Sequence, residues 1–231
     1  MNNKLQSRWV ILIAVFVVYA SCSTSYTEIN REVENQPSTS SLIIEQTDIA
    51  IDSDLDLIWQ DEFLGDALNN RKWDFQLGNG VNGWGNNELQ FYTSSKNNYE
   101  LSEGLLKIVP LYDPSHDQPY TSSKLVTKNK FSFKSPGIIS VKFKVPQGQG
   151  LWPAIWMMPV HSIFGGWPRS GEIDLMEARG SNPQQVLSTL HFFQNGHMYE
   201  GGDHYEAQAT NFNEVFHTVD LVWNKEKISF Y

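Results

Sequence analysis

The stretch GIISVKFKVPQGQGLWPAIWMM, residues 137–158, decides the architecture. In its first half Ile139, Val141, Phe143 and Val145 alternate with Ser140, Lys142 and Lys144, the two-residue period of a strand with one buried face. Pro146-Gln147-Gly148 supplies a turn, and Leu151 to Met158 reads as a second strand. Working outward, residues 105–109, 172–177, 186–193 and 216–223 read as strands too. Turn signals separate them, among them Gly78-Asn79-Gly80 and Gly201-Gly202-Asp203. Residues 228–231 pair with 216–223 through a hairpin at Asn224 to Lys227. No stretch holds a helical period for long, and Asp66 to Lys72 is expected to make one helical turn. Many strands without intervening helices mean an all-β sandwich or barrel, and periodicity alone does not choose between them.

Composition narrows the partners. The 231 residues are 40% hydrophobic and 19% charged, enough apolar material for a core in one domain or two small ones. Seventeen basic against 26 acidic side chains leave a net charge of −9, which argues against a nucleic-acid partner, since phosphate contacts need a basic face. The aromatic share is 13%, with eight tryptophans, and suits either a large core or a surface that stacks on sugar rings. The single cysteine, Cys22, excludes an internal disulfide framework and a multi-thiolate zinc site. His191, His197 and His204 are irregularly spaced and read as strand and loop histidines, not metal ligands. No metal and no cofactor is expected.

The chain begins as an export signal does. Lys4 and Arg8 precede the apolar run WVILIAVFVVYA, residues 9–20, which is short of the ~20 residues a spanning helix needs. Tyr19-Ala20-Ser21-Cys22 resembles the bacterial lipoprotein signal, with Cys22 as the lipidated residue; ordinary cleavage after Ala20 is the alternative. Either way the product leaves the cytoplasm, reaching the cell surface or outer membrane as a lipoprotein or being secreted. A lipid on Cys22 would be its only membrane attachment. Residues 1–22 are thus read as signal, 23–54 as a polar linker with a weakly marked strand at Leu42-Ile43-Ile44, and 55–231 as the folded domain.

Gly171-Glu172-Ile173-Asp174-Leu175-Met176-Glu177 puts three acids within six positions of an apolar strand. Alternation places Glu172 and Asp174 on one face. Glu177 joins them only if a β-bulge at Leu175-Met176 absorbs one residue. Three carboxyls on one face repel one another and raise at least one pKa, so packing does not explain the cluster. A solvated face with Glu177 turned elsewhere is the plain alternative. The chemical alternative is glycoside hydrolysis, which in its retaining form needs two carboxyls about 5–5.5 Å apart, a nucleophile and an acid/base.

Glu172 to Glu177 resembles the bulged active-site motif of glycoside hydrolase family sixteen. Three flanking stretches are similar to its laminarinase branch, the endo-β-1,3-glucanases: GWGNNELQFYT at 83–93, GQGLWPAIWMMP at 148–159 and GWPRS at 166–170. The likeness starts at Trp59-Gln60-Asp61-Glu62-Phe63 and runs to the last residue. It implies a concanavalin-like β-jelly roll of two curved antiparallel sheets. It also implies Glu172 as nucleophile, Glu177 as acid/base and Asp174 as assisting acid. Trp152, Trp156 and Trp167 would line the cleft, with Asn87, Glu88 and His191 as polar contacts. Core burial is the competing account of the tryptophans, strongest for Trp156 and weakest for Trp167. Turn-fixing competes for Asn87 and Glu88.

The implied activity is endo-hydrolysis of β-1,3-glucan or mixed-linkage β-1,3-1,4-glucan by a monomer. A non-catalytic β-glucan-binding protein, or a glycosidase of this fold acting on another marine or cell-wall polysaccharide, is the alternative. Pro136-Gly137-Ile138, Lys142 and Lys124 depart from the family pattern, which has Tyr-Gly-Arg and arginines there. Tyr231 falls where the family continues for several strands, so the jelly roll is expected to be truncated, a fragment or a poorly folding product.

Overall fold

The computed structural model describes residues 56–115, 118–201 and 210–231, with the backbone of 9–17 and 205–206. Cys22, the linker at 23–54 and the strand expected at Leu42-Ile43-Ile44 lie outside the described residues. The chain forms two compact units, one of Met1–Tyr19 with Asp61–Tyr231 and the other of Ala20–Gln60. Of the second, residues 56–60 are described; they are irregular, with Leu57 and Ile58 exposed.

The first unit is built from strands β1 (Trp9–Val17), β2 (Asp74–Phe75), β3 (Gln90–Tyr92), β4 (Tyr99–Ser102), β5 (Leu105–Ile108), β6 (Leu111–Tyr112), β7 (Tyr120–Ser122) and β8 (Lys124–Val126). They are followed by β9 (Gly137–Phe143), β10 (Leu151–Pro159), β11 (Glu172–Arg179), β12 (Asn182–Phe193), β13 (His197–Gly201), β14 (Tyr205–Glu206), β15 (His217–Trp223) and β16 (Ile228–Phe230). Among the described residues each strand expected from the pattern is present, its ends displaced by a few residues. The single turn expected over Asp66 to Lys72 forms at the end of that stretch, where the Asn69 carbonyl accepts from the backbone N–H groups of Lys72 and Trp73.

The main sheet runs β13-β12-β11-β10-β1-β8-β2, with β14 also on β12, and a second sheet runs β16-β15-β9. Between them lies the principal core. Ile139 and Phe143 of β9 and Val219 and Leu221 of β15 face Ile155 and Met157 of β10 and Ile173, Leu175, Met176 and Ala178 of β11. Each such aliphatic side chain, fully buried, contributes about 1.5–3 kcal/mol. Trp223 and Phe230 pack partly buried against this core. The architecture is an all-β jelly-roll sandwich, which removes the barrel from the two forms the pattern allowed.

The apolar run read as an export signal is strand β1. It pairs antiparallel with β10 from Trp9↔Pro159 to Val17↔Leu151, and with β8 from Leu12↔Val126 to Ala14↔Lys124. Its valines, isoleucines and aromatics are strong strand formers, so the same composition serves a sheet as well as a leader.

Candidate active site

The outer face of the main sheet carries the site. Along β10, Trp152, Ala154 and Trp156 share this face, while Ile155 and Met157 point to the core. On β11 the two faces separate by chemistry. Ile173, Leu175, Met176 and Ala178 are all buried in the core, so the consecutive Leu175 and Met176 both point inward. That is possible only because the register slips. Asp174 lies opposite Trp156, Met176 opposite Ile155 and Glu177 opposite Ala154, a β-bulge with Leu175 as the extra residue. The slip returns Glu177 to the face of Glu172 and Asp174, as the spacing of the acids required. A bulge breaks the hydrogen-bond ladder, and Ser188 of β12 repairs it, its buried hydroxyl donating to the Leu175 carbonyl at 2.7 Å.

The three carboxyls form one electrostatic unit. Burial, then the charge of Asp174, pushes Glu172 up to about 8, while His191 and a hydrogen bond from Trp167 oppose the rise. Burial and the charge of Glu177 hold Asp174 well above the usual carboxylate range, with a hydrogen bond to Glu172 working the other way. Glu177 is raised by burial, against His191, the Trp152 indole and Arg179. Trp152 donates from Nε1 to Glu177 Oε1 at 3.1 Å. His191 lies opposite Glu172 in the β11–β12 ladder, and its Nε2 is 3.1 Å from Asp174 Oδ2. His191, expected as a polar contact of the cleft, stands closest to Asp174. Donor atoms of Glu172, Asp174 and His191 fall within 4.8 Å of one another, the tightest gathering of acid and imidazole groups among the described residues. Groups that hydrogen-bond and titrate together are suited to sharing and moving protons.

The loop before β3 frames one side. Gly83 has φ +56°, and a Cβ there would stand 2.3 Å from the Glu88 backbone nitrogen, so only glycine fits. The tight coil over Gly83–Asn87, absent from the sequence reading, turns Trp84 inward beside Tyr92, Trp152 and Trp156. Asn87 is exposed on it. Glu88 corrects the sequence reading as a substrate contact. It is only 2% exposed and accepts hydrogen bonds from Asn86 Nδ2 at 3.1 Å and Gln90 Nε2 at 2.5 Å. A carboxylate bonded inward in this way fixes the turn.

Lys124 is the feature that local pattern gave no hint of. Its ammonium sits 4.2 Å from the Trp84 ring centroid, 4.7 Å from Trp156 and 5.8 Å from Tyr92, within cation–π range of all three. Burial lowers it to about 8 against the pull of Glu88 and Glu172, so it joins the loop to the acids. Trp156, half-buried, therefore packs on Val126, Met158 and Val160 of the outer face and also closes this cage. Trp167 is 52% exposed beside the acids, as its Gly/Pro loop suggested. His197 and Tyr199 of β13 extend the aromatic surface past His191.

Comparison with known proteins agrees with this geometry. The profile of Glycosyl hydrolases family 16 matches residues 79–231. The chain is 40% identical over 200 residues to Glucan endo-1,3-beta-glucosidase A1 of Niallia circulans, covering 80% of this chain and 29% of that protein. It is 40% identical over 179 residues to Glucan endo-1,3-beta-glucosidase of Cryptopygus antarcticus, covering 74% and 64%. It therefore spans less than two thirds of either relative's length. The solved laminarinase from Rhodothermus marinus aligns with a TM-score of 0.67 at 33% identity, covering 76% of this chain and 70% of that one. The profile runs from the tryptophan loop through the bulged acidic strand to the last residue, and the chain belongs to glycosyl hydrolases family 16.

Proposed function

We propose that this chain is a retaining endo-β-glucanase acting, as a monomer, on β-1,3-glucan or mixed-linkage β-1,3-1,4-glucan. The observation that carries the reading is the set of three carboxyls, Asp174 buried and Glu172 and Glu177 half-buried, that a bulge brings to one face, bordered by indoles. Glu172 attacks the anomeric carbon while Glu177 protonates the departing glycosidic oxygen, leaving a glycosyl ester on Glu172. Glu177, now a carboxylate, takes a proton from water, whose oxygen attacks the same carbon and frees Glu172. Asp174 carries a proton that it shares with Glu172. When the ester forms on Glu172, Asp174 keeps its proton, because Glu177, then a carboxylate, disfavours a second charge there. The indole faces of Trp152, Trp156 and Trp167 suit the apolar C–H faces of glucose rings.

The experiment is release of reducing ends from laminarin and from mixed-linkage glucan, with agarose and carrageenan as controls, for wild type and Glu172→Gln. Expected is cleavage of the glucans by the wild type and none by the variant, with both folded. Binding of laminarin without cleavage would replace this reading with a glucan-binding protein. Equal turnover of the two proteins would remove Glu172 as nucleophile.

The proposal includes export. The run before Cys22, with lysine and arginine ahead of it, supports a lipoprotein on the outside of the cell. Processing there would take β1 from between β10 and β8. Incorporation of labelled palmitate, lost in Cys22→Ser, tests the anchor; export of an unlabelled protein would favour simple secretion.

A further inference from the structure

We propose that His197 is a positioning residue for the acid cluster: its Nε2 engages Nδ1 of His191, so that the opposite nitrogen of that ring stays turned on Asp174, while its face backs Trp167. The inference rests on the reading of Glu172, Asp174 and Glu177 as the reacting acids. His197 is exposed on β13, the edge strand, where an ordinary histidine is solvated on all sides. Instead its Nε2 lies 2.9 Å from His191 Nδ1, and its ring centroid is 4.5 Å from that of Trp167 and 5.1 Å from that of His191. His191 thus has Nδ1 within hydrogen-bond distance of His197, while its Nε2 stands 3.1 Å from Asp174 Oδ2, an ion-pair distance at which that buried oxygen takes no hydrogen bond.

The chemistry of the ring makes this a constraint. A neutral imidazole donates from one nitrogen and accepts at the other, and the bond at one fixes the role of the other. With His197 donating to Nδ1, His191 must carry its proton on Nε2, facing the Asp174 carboxyl. With His191 doubly protonated, His197 presents its lone pair instead, so the pair accommodates one added proton without losing the bond. The other charged or titratable groups facing this pair are Glu172, Asp174 and Glu177 from β11, Tyr199 from β13 and, on the preceding loop, Arg169, which is stacked on Phe193. His191 is the cation-forming group that favours ionised Glu172 and Glu177. Whatever orients His191 therefore sets the balance between nucleophile and acid. Trp167, which hydrogen-bonds Glu172, is held from behind by the same residue.

Two substitutions separate the roles. His197→Phe keeps a ring against Trp167 and removes the nitrogens; His197→Gln keeps a group that donates or accepts and removes the ring. The first readout is the ring 15N spectrum of His191 in the full chain across a pH titration, without substrate. Expected is an Nε2–H tautomer in wild type and His197→Gln, and a mixed tautomer with a displaced titration in His197→Phe. The second is hydrolysis of laminarin, where losing a hydrogen bond to a charge-forming ring predicts a kcat about tenfold lower in His197→Phe, with KM unchanged and recovery in His197→Gln. A His191 tautomer and titration identical in wild type and His197→Phe would overturn the proposal. The spectroscopic arm decides it even if the wild type cleaves no glucan, an outcome that would count against the proposed function instead.

Discussion

Ser188→Ala is the sharpest probe of how the acids are held. The hydroxyl is 3% exposed and donates to the Leu175 carbonyl at 2.7 Å, at the point where the bulge interrupts the β11–β12 ladder. Removing it takes this hydrogen bond from a buried carbonyl, a loss of about 1–3 kcal/mol. For a domain of this size each kcal/mol moves Tm by about 2–4 °C, so a central value of about 2 kcal/mol predicts a fall of about 4–8 °C. Activity should suffer more than stability, because the carbonyl belongs to the residue that sets the offset between Asp174 and Glu177. A shift of about 1 Å between reacting groups costs on the order of a hundredfold in rate. The assay is calorimetry alongside laminarin turnover, with Ser140→Ala on the exposed side of β9 as the control, expected within about 0.5 kcal/mol of wild type. A Ser188→Ala protein matching wild type in both Tm and kcat would refute the reasoning.

Stereochemistry follows from the same register: proton NMR of early products should show the β-anomer, and initial α-anomer would rule out the two-carboxyl retaining scheme. Stability should depend on pH with a definite sign. Glu172 is raised from 4.5 to about 8 and its neighbours are raised too, so the folded chain holds more protons than the unfolded one across that window. Their stabilisation is complete below about pH 4.5 and is lost as pH climbs through about 8. Tm should therefore drop between these limits, and Glu172→Gln should flatten the slope; an equal slope in both proteins would contradict the assignment. Trp152→Phe removes the indole N–H that holds Glu177 down, so the alkaline limb of the kcat profile should move to higher pH, and an unmoved limb would sink that role.

Much of this was legible before any coordinates. The alternation in 137–145 gives the inward row Ile139, Val141, Phe143, and the spacing of Glu172, Asp174 and Glu177 marks Leu175-Met176 as the place for a bulge if all three acids are to share a face. The unread parts share a physical cause. Periodicity reports which face a side chain takes, but not which distant segments share that face. Lys124 meets Trp84 and Tyr92 of one distant stretch and Trp156 of another, and nothing local marks it as caged. Ser188 looks like any small residue in a strand. Glu88 reads as an available acid until its partners Asn86 and Gln90 are seen to enclose it. His197 passed as an ordinary strand residue because its partner is across a hairpin.

The bulge in β11 also bears on insertions and deletions. In a regular strand, losing one residue exchanges the two faces beyond it, which here would drive acids into the core and apolar side chains into the cleft. Within Leu175-Met176 the outcome differs. Deleting one of the pair turns the five-residue interval between Glu172 and Glu177 into four, which plain alternation already keeps on one face. The loss is one buried side chain and the bond from Ser188, not the phase of the strand. A single-codon deletion scan across 171–179 should therefore find one tolerated window, and it should fall on those two residues.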